Sequence, residues 1–206
     1  MKPAPAPLRA LFALLLVLAL AGCTAMNAQN PSSALQPVNA VADGDDARVI
    51  LKGADVVAYF TQQKYVQGNP QLKSVYQDVT FRFSSPEHKA MFDREPAKYL
   101  PQFNGYCTNG VTYGIPWGGN ADVWKMIDGK LYVFGGEGSK AAFELDEQAN
   151  LAHAHRLWKE EIAGHNSFFR RAWRMVFRVP HYKTDAELQA AVAAARAGGK
   201  AVPAAQ

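Results

Sequence analysis

Cysteine is nearly absent from this chain: Cys23 and Cys107 are the only two among 206 residues. A zinc site built from several cysteines is therefore excluded. Long apolar runs are scarce too. The single one, Leu8 to Leu20, is broken by Arg9, and its unbroken part Ala10 to Ala21 is too short to span a bilayer, which takes about 20 residues. No Ser-His-Asp spacing, phosphate loop, HExxH motif or internal repeat occurs. Basic residues are in deficit over most of the length. Thr24 to Ala163 holds 13 Lys+Arg against 16 Asp+Glu, a net of −3, whereas Gly164 to Gln206 holds 7 against 2, a net of +5. The pI of about 9.0 thus describes the two ends, and an anionic membrane surface or acidic partner suits the basic tail.

What is present at the start is directional. Met1-Lys2 and Arg9 give a basic opening, the apolar run comes next, and Leu20-Ala21-Gly22-Cys23 closes it with small residues before a thiol. That order is a secretory signal rather than a fold element. The Leu-Ala-Gly-Cys ending resembles the lipobox of bacterial lipoproteins, which implies a cleaved signal at 1–22, a lipidated Cys23 and attachment to a membrane in the periplasm. Acyl chains contribute about 0.8 kcal/mol per buried methylene. Nucleic acid is then not an expected partner; the membrane and envelope proteins are. With Cys23 acylated, Cys107 is left alone, and no intrachain disulfide is available in an oxidising compartment. A lone thiol there is either buried and inert or free and reactive.

Residues 23–47 are rich in Ala, Asn, Pro, Ser and Asp without apolar periodicity and read as a flexible tether. A domain is expected over 48–163 and a basic helical extension over 164–206. Asp55 to Phe60 fits a strand or a helical turn equally well. Ser74 to Ser84 reads as a hairpin around Gln77-Asp78. Ser85-Pro86-Glu87-His88 opens a helix to about Arg94 with a serine cap and proline in the first turn, and Pro96 starts a short one. Phe103 to Asn120, with five glycines, reads as a loop. Val123 to Ile127 and Leu131 to Phe134 are strands joined at Asp128-Gly129. Helices are expected next at Ser139 to Leu145 and Glu147 to Ala163. The expected class is α+β, small antiparallel hairpins covered by helices.

The middle of the chain is similar to a known module. Phe83-Ser84-Ser85-Pro86-Glu87-His88-Lys89-Ala90-Met91-Phe92, then Glu95-Pro96-Ala97-Lys98-Tyr99, resembles the YHS domain. Gly53-Ala54-Asp55-Val56-Val57-Ala58-Tyr59-Phe60 looks like the Gly-Tyr-Asp-Pro-Val-Ala-Tyr-Phe element of exported YHS proteins. Ala54 and Val56 stand where that family usually has Tyr and Pro. Gly105-Tyr106-Cys107, Trp124, Asp128 to Tyr132 and Asn150 to Trp158 continue the match, which covers roughly Val49 to Trp158. The tail after Gly164 has no counterpart in it. The resemblance implies a small treble-clef-like fold, to which the residue pattern of the tail adds a C-terminal helical extension. Some YHS domains are associated with heavy-metal transport, and exported members exist with selenocysteine in place of the cysteine of Gly-Tyr-Cys. For Cys107 this implies redox or soft-metal chemistry.

The candidate chemistry is sparse. Glycines flank Cys107, and backbone N–H groups in such turns can face a thiolate. Beside aromatics a lone cysteine is also a small buried hydrophobe. His88 lies in the first turns of its helix, where the dipole disfavours positive charge, and a neutral ring could ligate a metal or accept a hydrogen bond. Cys107 with His88 and Met91 would suit copper(I) or zinc. Asp55 and Asp78 read as turn or cap residues. His153 and His155 sit about 200° apart on one helix, so they share no metal. His155 is expected in the packed stripe with Leu151, Trp158 and Ile162, and His153 towards solvent.

Phe168 to Val179 carries the sharpest pattern. Arg170, Arg171, Arg174 and Arg178 fall within about 100° on a helical wheel, with Phe168, Phe169, Trp173, Met175, Val176, Phe177 and Val179 on the other side. The pattern fits an interfacial membrane helix, or a helix packing its apolar face on the domain with arginines outward. Pro180 ends it, and Thr184 caps an alanine-rich helix over Asp185 to Arg196. Three functions stay open. The chain is a membrane-anchored module binding a soft metal or partner through the Gly-Tyr-Cys loop, a thiol redox enzyme with Cys107 as nucleophile, or a structural lipoprotein with an inert thiol.

Overall fold

The computed structural model describes residues 33–199. The signal 1–22, Cys23 and the first part of the expected tether lie outside the described residues. Helices and strands mix along the chain: β1 (Ala40–Asp43), β2 (Asp46–Ile50), α1 (Ala58–Thr61), β3 (Asn69–Tyr76), β4 (Val79–Phe83), α2 (Pro86–Arg94), α3 (Pro96–Tyr99), α4 (Thr108–Thr112), β5 (Asn120–Ile127), β6 (Lys130–Phe134), α5 (Glu137–Glu144), α6 (Glu147–Leu157), α7 (Ser167–Val176) and α8 (Asp185–Ala197). One sheet runs β1-β2-β4-β3, and β5 pairs with β6 in a second. The hairpins are antiparallel as expected, but β2 joins β4 in parallel at Val49 and Thr80.

Local chemistry explains the turns and caps. Tyr76 faces Val79 and Ile127 faces Lys130 across two-residue loops. Gln77, Asp78, Asp128 and Gly129 all have positive φ, as a tight hairpin loop of this kind requires. The Ser85 side chain accepts from His88 N, and Thr184 and Glu187 form a reciprocal capping box, so α2 and α8 start where those residue types satisfy free N–H groups. The ambiguous Asp55 to Phe60 run resolves as the turn into α1.

Two expectations are corrected here. The segment 33–47 is not a tether. Leu35 and Val38 are buried in the first core, with Tyr59, Phe81, Phe83 and Phe92, and β1 and β2 begin before Arg48. It lacked an apolar stripe because polar groups hold it. The Asn39 amide donates to the Gly105 and Gly119 carbonyls at 2.8 and 3.1 Å, and the Asn104 amide donates to Pro37 O at 2.8 Å. Likewise, Phe103 to Asn120 is more than a loop. Phe103, Asn104 and Gly105 form a left-handed turn with φ of 53°, 49° and 80°, and α4 comes directly after it. Left-handed backbone costs roughly 1 kcal/mol or more at non-glycine positions, and the Asn39 and Asn104 bonds hold it in place.

A second core gathers Phe103, Tyr106, Phe134, Phe143 and Ile162. The C-terminal extension docks through Val179 against Tyr113, Ile115 and Leu157, and through Val192 against Ala141 and Ala142.

One buried carboxylate ties α1, β4 and α2 together. Asp55 Oδ1 accepts from the N–H groups of Val57 at 3.0 Å and Ala58 at 3.3 Å, which is the expected capping role. Its Oδ2 accepts from Ser84 N at 2.8 Å, Ser84 Oγ at 2.6 Å and His88 Nδ1 at 2.6 Å. Leaving a buried donor without its acceptor costs about 1–3 kcal/mol. Asp55→Ala strands several such donors at once and is therefore expected to lower the free energy of urea unfolding by about 3 kcal/mol or more. Lys98→Ala, at the exposed Lys98–Glu95 pair, should leave it unchanged within error. Equal effects would show that Asp55 is not the tie.

Candidate functional site

Cys107 stands at the N-terminus of α4, fixed by backbone on both sides. Its N–H donates to Trp117 O at 2.8 Å, its carbonyl accepts from Val111 N at 3.0 Å, and it bridges to Val133 of β6. The glycines around it are needed for contact. A Cβ on Gly110 would lie 2.7 Å from Ile115 O and Trp117 Cδ1, and one on Gly119 would lie 2.6 Å from Gly105 O. The thiol is buried, at 3% exposure, yet it is not sealed in hydrocarbon. Sγ accepts from the Gly135 N–H at 3.1 Å and lies 3.2 Å from Ser139 Oγ. It lines a cavity of about 300 Å³ with Asn109, Tyr113, Trp117, Ser139, Tyr182 and Lys183 among the walls. Ser139 had no sequence signal, because it reaches Cys107 from a helix 32 residues on. A larger cleft of about 540 Å³ lies elsewhere, between Asn39, Tyr65, Gln67 and Asn120.

His88 belongs to a different place. Nδ1 faces Asp55, and Nε2 lies 3.0 Å from Thr61 Oγ1 and 3.4 Å from the Gln62 amide. Met91 packs against the first core. None of these groups is among the polar partners or cavity walls of Cys107, so the ligand set of Cys107, His88 and Met91 is corrected. Sequence proximity to an apolar face suggested it, but the loop folds its thiol towards β6 and α5 instead. Among the described residues no group of three or more His, Cys, Asp or Glu side chains converges as a metal site. The Asp55 partner of His88, 33 residues earlier, left no mark in the local pattern.

Leu151, Trp158 and Ile162 pack on the second core as expected, while the two histidines differ from expectation. After Leu157 the helix continues as a π turn over Trp158–Ile162, which carries an extra residue per turn and shifts the stripe. The buried positions are Ala154, Leu157 and Ile162. His155 leaves its edge in solvent while its ring rests on Phe103 and Tyr132, with Nε2 3.0 Å from the Tyr132 hydroxyl. His153, expected in solvent, stacks on His181 with ring centres 3.9 Å apart and 13° between planes. His181 in turn donates to the Thr112 carbonyl at 2.8 Å, tying the C-terminal extension to α4 and α6.

Helix α7 is oriented against the packing reading. Its apolar face points outward: Phe169 is 64%, Trp173 52% and Val176 72% exposed, and Phe168, Met175 and Phe177 are exposed as well. The arginines turn inward or sideways. Arg174 forms a two-pronged pair with Glu161, Nε to Oε2 at 2.9 Å and Nη2 to Oε1. Arg170 approaches Glu161 at 3.9 Å, Arg171 lies over the Trp117 ring and Arg178 over Tyr182. The domain thus engages Arg170, Arg171 and Arg174, while Arg178 stays exposed beside Tyr182. Among the described residues no helix is long and apolar enough to cross a membrane. No family model, curated protein or solved structure matches this chain.

The stacked pair gives a pH dependence. Loss of water around the ring, then the neighbouring His181 and Arg156, hold the His153 imidazole below the usual 6.5, with Asp146 opposing. Burial, then Lys130, does the same to His155. The unfolded chain therefore takes up these protons at a higher pH than the folded one, and acid favours unfolding. Stability should be intact above about pH 6.5 and fall progressively below it. His153→Gln should flatten that fall in urea titrations between about pH 7.5 and 5; an unchanged profile would assign the slope to other groups.

Proposed function

We propose that this chain is an exported lipoprotein of the YHS type, anchored through Cys23 and seated on the periplasmic face of a membrane by α7. It acts as a binding module rather than an enzyme, holding the Gly-Tyr-Cys cavity at a fixed place above the lipid. The observation that carries this is the outward aromatic face of α7 with its arginines engaged by the domain. A soluble body rarely leaves a patch rich in Trp, Phe and Val facing water without a partner surface.

The start of the chain points to the same surface. Gly164 N donates to Gln36 O at 2.8 Å, so the incoming chain passes beside the turn that leads into α7. Ten peptide steps separate Cys23 from Ser33, a reach of at most roughly 35 Å. A lipid on Cys23 therefore keeps α7 close to the bilayer, since two or more acyl chains anchor stably. The aromatic face adds to that attachment at about 25 cal/mol per Å² buried. Copper(I) or zinc at Cys107 is not the favoured ligand, since the thiol has only a backbone N–H and a hydroxyl beside it.

The full-length chain with Cys23→Ser should co-float with phosphatidylglycerol-containing vesicles. Replacing Trp173 and Phe177 by Ser should reduce the bound fraction by about tenfold or more. With three of the four arginines engaged by the domain, raising salt from roughly 0.1 to 0.5 M should change binding little. Unchanged flotation of the double variant would overturn the proposal. So would a stable dimer that the same two substitutions dissociate, since a second copy would then own this face.

A further inference from the structure

The two hairpins belong to two copies of one structural unit. In the first, Asn69 faces Phe83, Lys73 faces Arg82 and Tyr76 faces Val79. In the second, Asn120 faces Phe134, Trp124 faces Val133 and Ile127 faces Lys130. Each pair recurs 51 residues on, and the break in register falls at the same place, 69–73 and 120–124. A left-handed turn opens each unit, over Leu51, Lys52 and Gly53 and over Phe103, Asn104 and Gly105. Asp55 N then donates to Val66 O at 2.9 Å, as Cys107 N does to Trp117 O at 2.8 Å. Asp55 accepts from Ser84 N and meets His88, and Cys107 accepts from Gly135 N and meets Ser139. Only 7 of the 35 positions from Val66 to Leu100 hold the same residue 51 places on, so the sequence does not show the repeat.

The copies differ at their seam. In the first unit Gln67 donates its amide hydrogens to Lys52 O at 3.0 Å and Gly53 O at 3.1 Å. The same position in the second unit is Gly118, and Asn39 takes over the task by donating to Gly105 O and Gly119 O. Nothing local requires glycine at 118. Its φ lies outside the left-handed region, and a Cβ there would meet only Asn39 Oδ1, at an ordinary 3.5 Å. The missing side chain leaves open the cleft of about 540 Å³ that Gln67 and Gly118 both line. That volume falls inside the small-molecule range of roughly 300–1,000 Å³.

The cleft presents mainly acceptors. The amide hydrogens of Asn39 and Gln67 are spent on backbone carbonyls, the Tyr65 hydroxyl donates to Gln67 Oε1 at 2.5 Å, and Asn120 Nδ2 donates to Gly135 O at 2.6 Å. Asn39 Oδ1 is left without a partner and is not sealed from solvent. The Asp122 carboxylate also lines the cleft and is in no ion pair among the described residues. Lys52 is the opposing charge on the wall, but it is exposed and its long stem lets the ammonium stay in water. Val41, Leu51 and the Tyr65 ring add apolar surface.

We infer that this cleft binds a small organic molecule carrying a primary ammonium group on an apolar stem. Such a group has three donors and no acceptor, which suits the oxygens of Asn39, Asn120 and Asp122. The stem takes the surface of Val41 and Leu51, and the half-open Tyr65 ring offers a face to the charge. This site is separate from Cys107 and from α7, so it goes beyond the membrane reading and stands or falls without it.

The test is run without membranes on the full-length chain with Cys23→Ser. It is titrated at constant ionic strength with n-pentylammonium chloride or with pentyltrimethylammonium chloride, which has the same stem and charge but no donor. The backbone amide NMR signals of Gly118, Gly119 and Ala121 report binding. The primary ammonium should shift them saturably, with an affinity about tenfold or more above that of the trimethyl compound. Gly118→Gln, which places in the second unit the residue of the first, should weaken binding by about tenfold or more with Tm unchanged. Asp122→Asn, at an exposed position, should weaken it by about tenfold. No saturable shift, equal affinities for the two compounds, or a folded Gly118→Gln chain that binds like the unaltered one would overturn the inference. If Gly118→Gln does not fold, unchanged affinity in Asp122→Asn overturns it instead.

Discussion

A helix with arginines on one stripe and aromatics on the other can give only one of them to the protein, and here Glu161 decides which. The two-pronged Glu161–Arg174 pair is partly shielded, so it gains from charge and from matched planar geometry together. Its position depends on the π turn over Trp158–Ile162. The extra residue rotates the positions after it by roughly 100° relative to a plain α-helix. Ile162 goes into the second core while Glu161 faces α7. Arg174 also packs over Gly114, where a Cβ would meet its Nε at 3.1 Å. With the arginines so placed, nothing among the described residues covers the aromatic face.

Both ends of the described chain converge on the Cys107 region. The polar bonds of Pro37, Asn39 and Asn104 pin the left-handed turn that precedes the thiol. From the other end, Tyr182 to Gln189 form one wall of the cavity, and His181 bonds the carbonyl of Thr112 in α4. The thiol is thus held between the N-terminal segment of the described residues and the extension beyond α7. A cavity assembled this way keeps a fixed distance from the exposed aromatic face of α7, which suits the module proposed above.

Much of the fold was legible wherever one residue type satisfies its own neighbourhood. Asp128-Gly129 and Gln77-Asp78 marked hairpins because few residues tolerate positive φ there. Ser85 and Thr184 marked helix starts because their oxygens reach free N–H groups two or three residues on. Asp55 was readable as a cap but not as the partner of His88 and Ser84, since that contact closes a loop of about thirty residues. The strands in 40–50 were hidden because β1 is an exposed edge with only intermediate or exposed positions, so no apolar alternation betrays it. The amphipathic pattern of α7 was plain, but its sense was not. The wheel gives two faces and no preference, and the choice lies in a carboxylate from the preceding element.

Depth-resolved quenching of Trp173 tests the central claim most directly. The lipidated full-length protein is placed in vesicles whose acyl chains carry bromine near the headgroups, and its tryptophan emission is compared with that of Trp173→Phe. The account predicts strong quenching that falls sharply in the variant, because Trp124 and Trp158 pack against the two cores and Trp117, although exposed, lies under Arg171. Emission unaffected by bromine, or quenched equally with and without Trp173, would contradict it.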